Sequence, residues 1–357
     1  MKADILPTAF HMPGLLASIL YMSYSHISSA RGWGNPELAL TLKAAAMFHI
    51  NKKMSHPSTA TCTNVIAAVS YLCTGLWVFG NSVEEMEIHL HGIDMMVKQR
   101  GMDSLGVYQF GTSVRRYLFL QHHVLAAIRA QATTSTFDFD YTRLSRSNSK
   151  LSTKYASPLY SPKSRLTQPA GLRGLRRGRI GVLRLAKTLI ETVIAFDEGL
   201  IAETDLEILF GSTRIELGRH DISHCFGEMS SGDPILECCG LTTLIILDAA
   251  ETARPLISSD PDLTLALVRA LEKTHVEDGW ARLDGVLYWI CLVGSAAAQG
   301  RPGHGLLHST LGRMMSEIAF TVLDFSYAIK PVWQLARLQL ALKRRSSLRH
   351  GSMEWQQ

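Results

Sequence analysis

Few residues in this chain have the types and spacing that chemistry needs. His220 and His224 stand four apart in the run HDISHC, with Cys225 next to the second. On a helix, positions four apart share a face, so these three side chains are the candidate zinc ligands. Gly218 and Gly227 flank the run and would keep such a helix short. Zinc needs at least three convergent ligands, and the spacing fixes no third. The pair therefore reads as two ordinary histidines. His89/His91 and His122/His123 are spaced two and one apart, which turns them toward different sides of a helix.

Other catalytic grammar is missing from the sequence. Cys62, Cys73, Cys225, Cys238, Cys239 and Cys291 form no CxxC pair and sit in apolar stretches, so buried free thiols are expected. Val293-Gly294-Ser295-Ala296-Ala297 approaches the nucleophile elbow GxSxG but fails at its last position. Gly171, Gly174, Gly178 and Gly181 have the wrong spacing for a dinucleotide loop. Neither GxxxxGK[ST] nor HExxH occurs. The expectation is a non-enzyme without a resident cofactor.

The elements around these residues read as helices. Asn35-Pro36-Glu37 combines an N-cap, a proline at the first helical position and an acid in the first turn, which predicts a helix to about Lys53. A second helix should begin at Thr59 or Thr61 and end near Gly80. Ser82-Val83-Glu84-Glu85 is a capping box for a third. In that helix Met86, Leu90, Ile93 and Val97 share one face, and Gly101 stands at the C-cap. Helices are further expected over Ser113–Ala132, Asp233–Ala253, Asp260–His275, Arg282–Gln299 and Leu306–Ala328. Pro331 should separate a last basic helix that ends near Arg349. Met86, Met95, Met96, Trp280, Tyr288 and Trp289 are expected in the core. The class is all-α, a large bundle of roughly ten or more helices.

Composition and charge set the organisation. With 46% hydrophobic and 19% charged residues, the chain can build a core and is not a disordered protein. Leu15–Met22 reads as a packing helix rather than a leader, no run reaches bilayer length, and an intracellular product is expected. The net charge of +5 is unevenly spread. Between Thr142 and Lys187 lie twelve Lys/Arg and no acid. Arg337–Gln357 holds five basic residues and one acid. Everything else carries 19 basic and 30 acidic residues, a net of −11. This suggests a helical half over 1–141, a disordered basic linker over 142–181, a second helical half over 182–336 and a basic tail over 337–357. Arg173, Arg176, Arg177 and Arg179, with Lys343, Arg344 and Arg345, are the candidate nuclear-import or phosphate contacts.

Three segments carry a resemblance. Leu38–Pro57 is a helix of small and apolar residues followed by a proline-bearing loop. In His89–Gly106, the residues His89, Leu90, Gly92, Met96, Val97, Arg100, Gly101, Leu105 and Gly106 follow one pattern, with Met102 where a second glycine is usual. Leu287–Gly300 bears Trp289 and ends in a small-residue run. Together these resemble the regulatory domain of fungal zinc-cluster transcription factors. The resemblance implies an all-α domain that controls a DNA-binding module and contacts partners. It also implies a six-cysteine zinc cluster on the N-terminal side, whereas the first cysteine here is Cys62. Zinc is therefore expected only with an upstream cluster.

The expected function is a nuclear transcription regulator without its own base-reading module. It would work through a protein partner or a homodimer, or through a small-molecule effector, reach DNA only indirectly, and have no membrane contact. The alternative is a repurposed helical domain, nuclear or cytoplasmic, that binds a small molecule or acts as an enzyme in secondary metabolism.

Overall fold

The computed structural model describes residues 2–31, 35–78, 83–101, 109–131, 156–160, 177–219, 233–274, 280, 283–301, 303–321 and 326–354. Among these residues the chain is all-α, with thirteen α-helices, one short 3-10 turn at Leu256–Ser258 and no strand. In chain order the helices are α1 Lys2–Phe10, α2 Pro13–Arg31, α3 Pro36–Met54, α4 Thr63–Val78, α5 Val83–Arg100 and α6 Gln109–Ile128. The second set is α7 Arg177–Asp197, α8 Glu203–Arg219, α9 Pro234–Thr252, α10 Pro261–Glu272, α11 Asp284–Ala297, α12 His304–Thr321 and α13 Ser326–Glu354.

Helix starts follow the side chains that satisfy otherwise orphaned N–H groups. Asn35 Oδ1 accepts from Glu37 N and Leu38 N at the head of α3. Asp233 Oδ1 accepts from Leu236 N at the head of α9, and Asp260 Oδ1 from Asp262 N at the head of α10. Each cap is followed by proline, whose missing N–H costs nothing there. Gly101 closes α5 at φ +85°, a conformation that favours glycine, and its N–H donates to Val97 O at 2.8 Å.

Two compact units result. The first is drawn from described residues within 1–123 and 308–328, the second from those within 124–131, 156–307 and 329–354. In the first, α2 packs on α3 and α4, and α4 packs on α5. From Val65 to Val78 every residue of α4 is buried, so this helix is a core rod rather than an amphipathic surface element. Gly75 lets it approach α2. A Cβ there would lie 2.5 Å from the Tyr21 ring, inside van der Waals contact. Gly75→Ala is expected to cost about 2–3 kcal/mol through forced displacement of that ring. A urea titration checks it; an unchanged midpoint would show that Tyr21 moves freely.

In the second unit, α9 packs on α7, α10 and α11. Every residue of α11 from Gly285 to Ala297 is buried. Trp280, Tyr288 and Trp289 lie in this core, as Met86 and Met96 do in the first unit, but Met95 is 55% exposed on α5.

Several expected boundaries are corrected. Residues 142–155 and 161–176 of the expected linker lie outside the described residues, as does Ser82 of the capping box. Within that same linker, however, Ser157 and Leu159 are buried, and α7 begins at Arg177, inside the span assigned to the linker. Its apolar face explains this: Val182, Leu183, Ala186, Leu189, Ile190 and Val193 are buried at helical spacing. Pro331 does not break the last helix either. It sits inside α13, and Ile329, Val332, Leu335, Leu338 and Leu342 bury one continuous face across it. The expected tail boundary at Arg337 falls within the same helix. Helices α1, α7 and α8 have no counterpart among the individual helices expected from the sequence.

Candidate functional site

The motif segment organises α5 and its end. Leu90, Ile93, Met96 and Val97 are buried, which accounts for the apolar motif positions as packing. Arg100 Nη1 donates to Thr61 O at 2.9 Å, pinning the end of α5 to the segment before α4. Gly101 supplies the left-handed turn. His89 is half-buried, with Nε2 at 3.7 Å from Glu85, whose carboxylate meets Lys43 at 2.7 Å. Burial lowers the His89 pKa against the opposing pull of Glu85. Gly92 differs from the rest: a Cβ there would meet nothing within 4 Å. It lies on the outer side of α5 between Ile88 and Met95, which are 70% and 55% exposed. Leu105 and Gly106 lie outside the described residues.

Four polar side chains of the first unit's core bond to one another. Ser70 Oγ donates to Gln121 Oε1 at 2.8 Å, and Gln121 Nε2 donates to Ser70 O and Thr74 Oγ1. Thr74 also meets the Tyr117 hydroxyl. This is a closed buried network, which rigidifies a core but presents nothing to a substrate. His123 Nδ1 lies 2.8 Å from Phe119 O, with its ring stacked on Phe119. Burial lowers its pKa. His122 Nε2 stands 3.5 Å from Asp94 Oδ1, beyond an ordinary hydrogen bond. Burial holds the His122 pKa down at about 4 and raises that of Asp94.

His220, His224 and Cys225 lie outside the described residues. Among the described residues, no three His, Cys, Asp or Glu side chains are grouped to hold a metal. Cys73, Cys238, Cys239 and Cys291 are buried free thiols, and Cys62 is half-buried. Burial pushes the Cys239 thiol up to about 12 and raises Cys73 and Cys238 as well, so none of these three is a thiolate nucleophile at neutral pH.

The candidate basic contacts separate into distinct groups. Arg173 and Arg176 lie outside the described residues, and Arg177 opens α7. Arg179 is engaged by Asp233 through two bonds of 2.7 and 2.6 Å. Lys343 is exposed, and Arg344 pairs with Asp197 at 2.9 Å while staying 58% exposed. Arg345 is only 4% exposed. Its guanidinium donates to Ala250 O, reaches Glu203 at 3.4 Å and lies over the rings of Phe196 and Phe210. A buried guanidinium cannot reach a phosphate or a receptor, so Arg345 is corrected from a candidate contact to a core residue, and Arg179 to a structural ion pair. Arg345→Ala is expected to cost about 2–3 kcal/mol, combining lost packing with the lost charge-assisted bond to Ala250 O. Lys343→Ala should stay within about 0.5 kcal/mol. Chemical denaturation compares the two; equal midpoints would contradict the burial of Arg345.

A cleft with a volume of about 390 Å³ opens in the first unit. Three separated segments build it: Met12–Leu15 at the head of α2, His49–His56 at the end of α3, and Asn64–Ala68 at the head of α4. Nothing in linear spacing joins these segments, and the sequence expectations missed the site. No helix among the described residues is long and apolar enough to cross a membrane. No protein-family model, curated protein or solved structure matches the chain.

Proposed function

We propose that this chain is the regulatory domain of a transcription regulator similar to the fungal zinc-cluster type. It acts in the nucleus through a protein partner, a second copy or a small effector. The observation that carries this reading is α5. Its motif residues form a capped helix whose Arg100 and Gly101 fix the exit of the chain, while Gly92 answers no packing need. A glycine in an open helix interior costs about 1 kcal/mol relative to alanine. Its presence beside exposed Ile88 and Met95 fits a face that receives another surface. No CxxC pair lies within these 357 residues, so they do not encode a zinc cluster of that family's kind.

The test tethers the full chain to a heterologous DNA-binding module in a fungal reporter strain. A change in reporter output of about fivefold or more in either direction, with the fusion in the nucleus, is the expected result. A flat reporter with a stable, nuclear fusion overturns the reading. Gly92→Ala should raise the unfolding free energy by about 1 kcal/mol. Loss of the reporter response in that better-folded variant would assign Gly92 to a partner contact. The cleft also favours the alternative of a small-molecule binder, which would leave the tethered reporter flat while retaining a ligand.

A further inference from the structure

The cleft in the first unit has a consistent chemical character. Leu15, Val65 and Ala68 are buried and supply an apolar wall. Lys52, Lys53, His49 and His56 also line the cleft. No Asp or Glu is among the described residues that line it. Neither lysine belongs to an ion pair among the described residues, in contrast to Lys43, which Glu85 engages directly. The α3 end at the cleft is a C-terminus, of partial negative charge, so the lysines supply most of the positive sign, and the heads of α2 and α4 add to it. The cleft takes in the first residues of α2 and the second and third of α4, and neither helix has an acid in its first turn. Helix N-termini carry partial positive charge and favour anions. Gly14 permits the closeness: a Cβ there would already touch His49 Cβ and Ile50 N at 3.4 Å.

Apolar wall and cationic side chains together fit one ligand class. We infer that the cleft binds a small amphiphilic carboxylate, with its apolar body against Leu15, Val65 and Ala68 and its carboxylate on the side of Lys52 and Lys53. A volume of about 390 Å³ suits a single small molecule rather than a peptide or a folded partner. A neutral apolar ligand would leave the cations unused, and a polyphosphate would leave the apolar wall unused. The inference deepens the regulatory reading by naming the effector class. Its binding arm stands without that reading, because binding is measured on the isolated protein and regulation by the tethered reporter.

The test titrates the purified full chain with decanoate, well below micelle formation, and with decanol as the uncharged counterpart. Calorimetry should show saturable one-to-one binding of decanoate, with decanol at least about tenfold weaker. Lys52→Gln/Lys53→Gln should weaken decanoate about fivefold or more and leave decanol unchanged. These lysines are exposed at the end of α3, so the double variant is expected to fold. Asn64→Trp, which places a bulky ring in the cleft, should abolish binding of both ligands at an unchanged melting temperature. No saturable binding, equal affinity for acid and alcohol, or an unaffected lysine double variant would each overturn the inference. Capture of phosphatidylserine vesicles through the two lysines, without binding of free decanoate, would overturn it in favour of a membrane surface.

Discussion

Arg179→Ala is expected to destabilise the second unit by about 3–5 kcal/mol. The reason lies with its partner. Asp233 is only 3% exposed in its side chain and takes both guanidinium bonds, at 2.7 and 2.6 Å. The same carboxylate also caps α9 through Leu236 N. Alanine would strip both guanidinium bonds and the nearest counter-charge from a buried carboxylate, and removing one partner of a buried pair costs far more than the pair contributed. Arg179→Lys should recover only part of the loss, because an ammonium cannot make the two-pronged contact. Arg179→Ala/Asp233→Asn should be milder than Arg179→Ala alone, since the amide keeps an acceptor for the cap without a charge. Denaturant titration of the set checks the order. A loss below about 1 kcal/mol in Arg179→Ala would mean that water reaches Asp233.

That pair also shows how far charge can be read from sequence. Composition divides the chain into an acidic body, a basic segment and a basic tail. In the folded protein, basic residues from those segments meet particular acids: Arg179 with Asp233, Arg337 with Glu198, Arg344 with Asp197 and Arg345 with Glu203. The charges of the body and the tail therefore answer one another, which a count by segment cannot reveal. Local grammar was more legible. Asn35-Pro36, Asp233-Pro234 and Asp260-Pro261 each mark a helix start, because a short polar side chain followed by proline satisfies the first turn within a few residues. Gly101 marks a helix end for an equally local reason. Pro331 misleads because its local cost is outweighed by a buried face contributed by residues on both sides of it. The head of α7 is hidden by arginines and glycines, whose composition masks the apolar period from Val182 onward. The cleft was out of reach altogether, since it exists only once the ends of α2, α3 and α4 meet.

Acidification from pH 6.5 to about 4 is expected to remove about 3 kcal/mol of stability through His122 alone. The folded protein holds this imidazole neutral by burial, with the neighbouring His123 adding to the effect, and its pKa falls from 6.5 to about 4. Above pH 6.5 neither the folded nor the unfolded chain carries the proton, so the full stability is present. As pH falls below 6.5 the unfolded chain takes the proton first, and unfolding becomes progressively more favourable. The loss is complete near pH 4, where the folded state also protonates. His89 and His123, both lowered by burial, act in the same direction. Asp94 acts in the opposite one. Burial raises its pKa, so its protonated form supports the folded state below pH 3.8 and that support is lost as pH rises through the raised value. The histidines therefore govern the upper part of the acid range, and Asp94 blunts the lower part. His122→Gln removes the titration while keeping a polar side chain of similar reach. Its unfolding free energy should fall less steeply than that of the parent between pH 6.5 and 4, with the two curves parallel above pH 7. Parallel curves across the whole range would show that His122 is protonated in the folded state by the Asp94 carboxylate 3.5 Å away, with burial as the lesser influence.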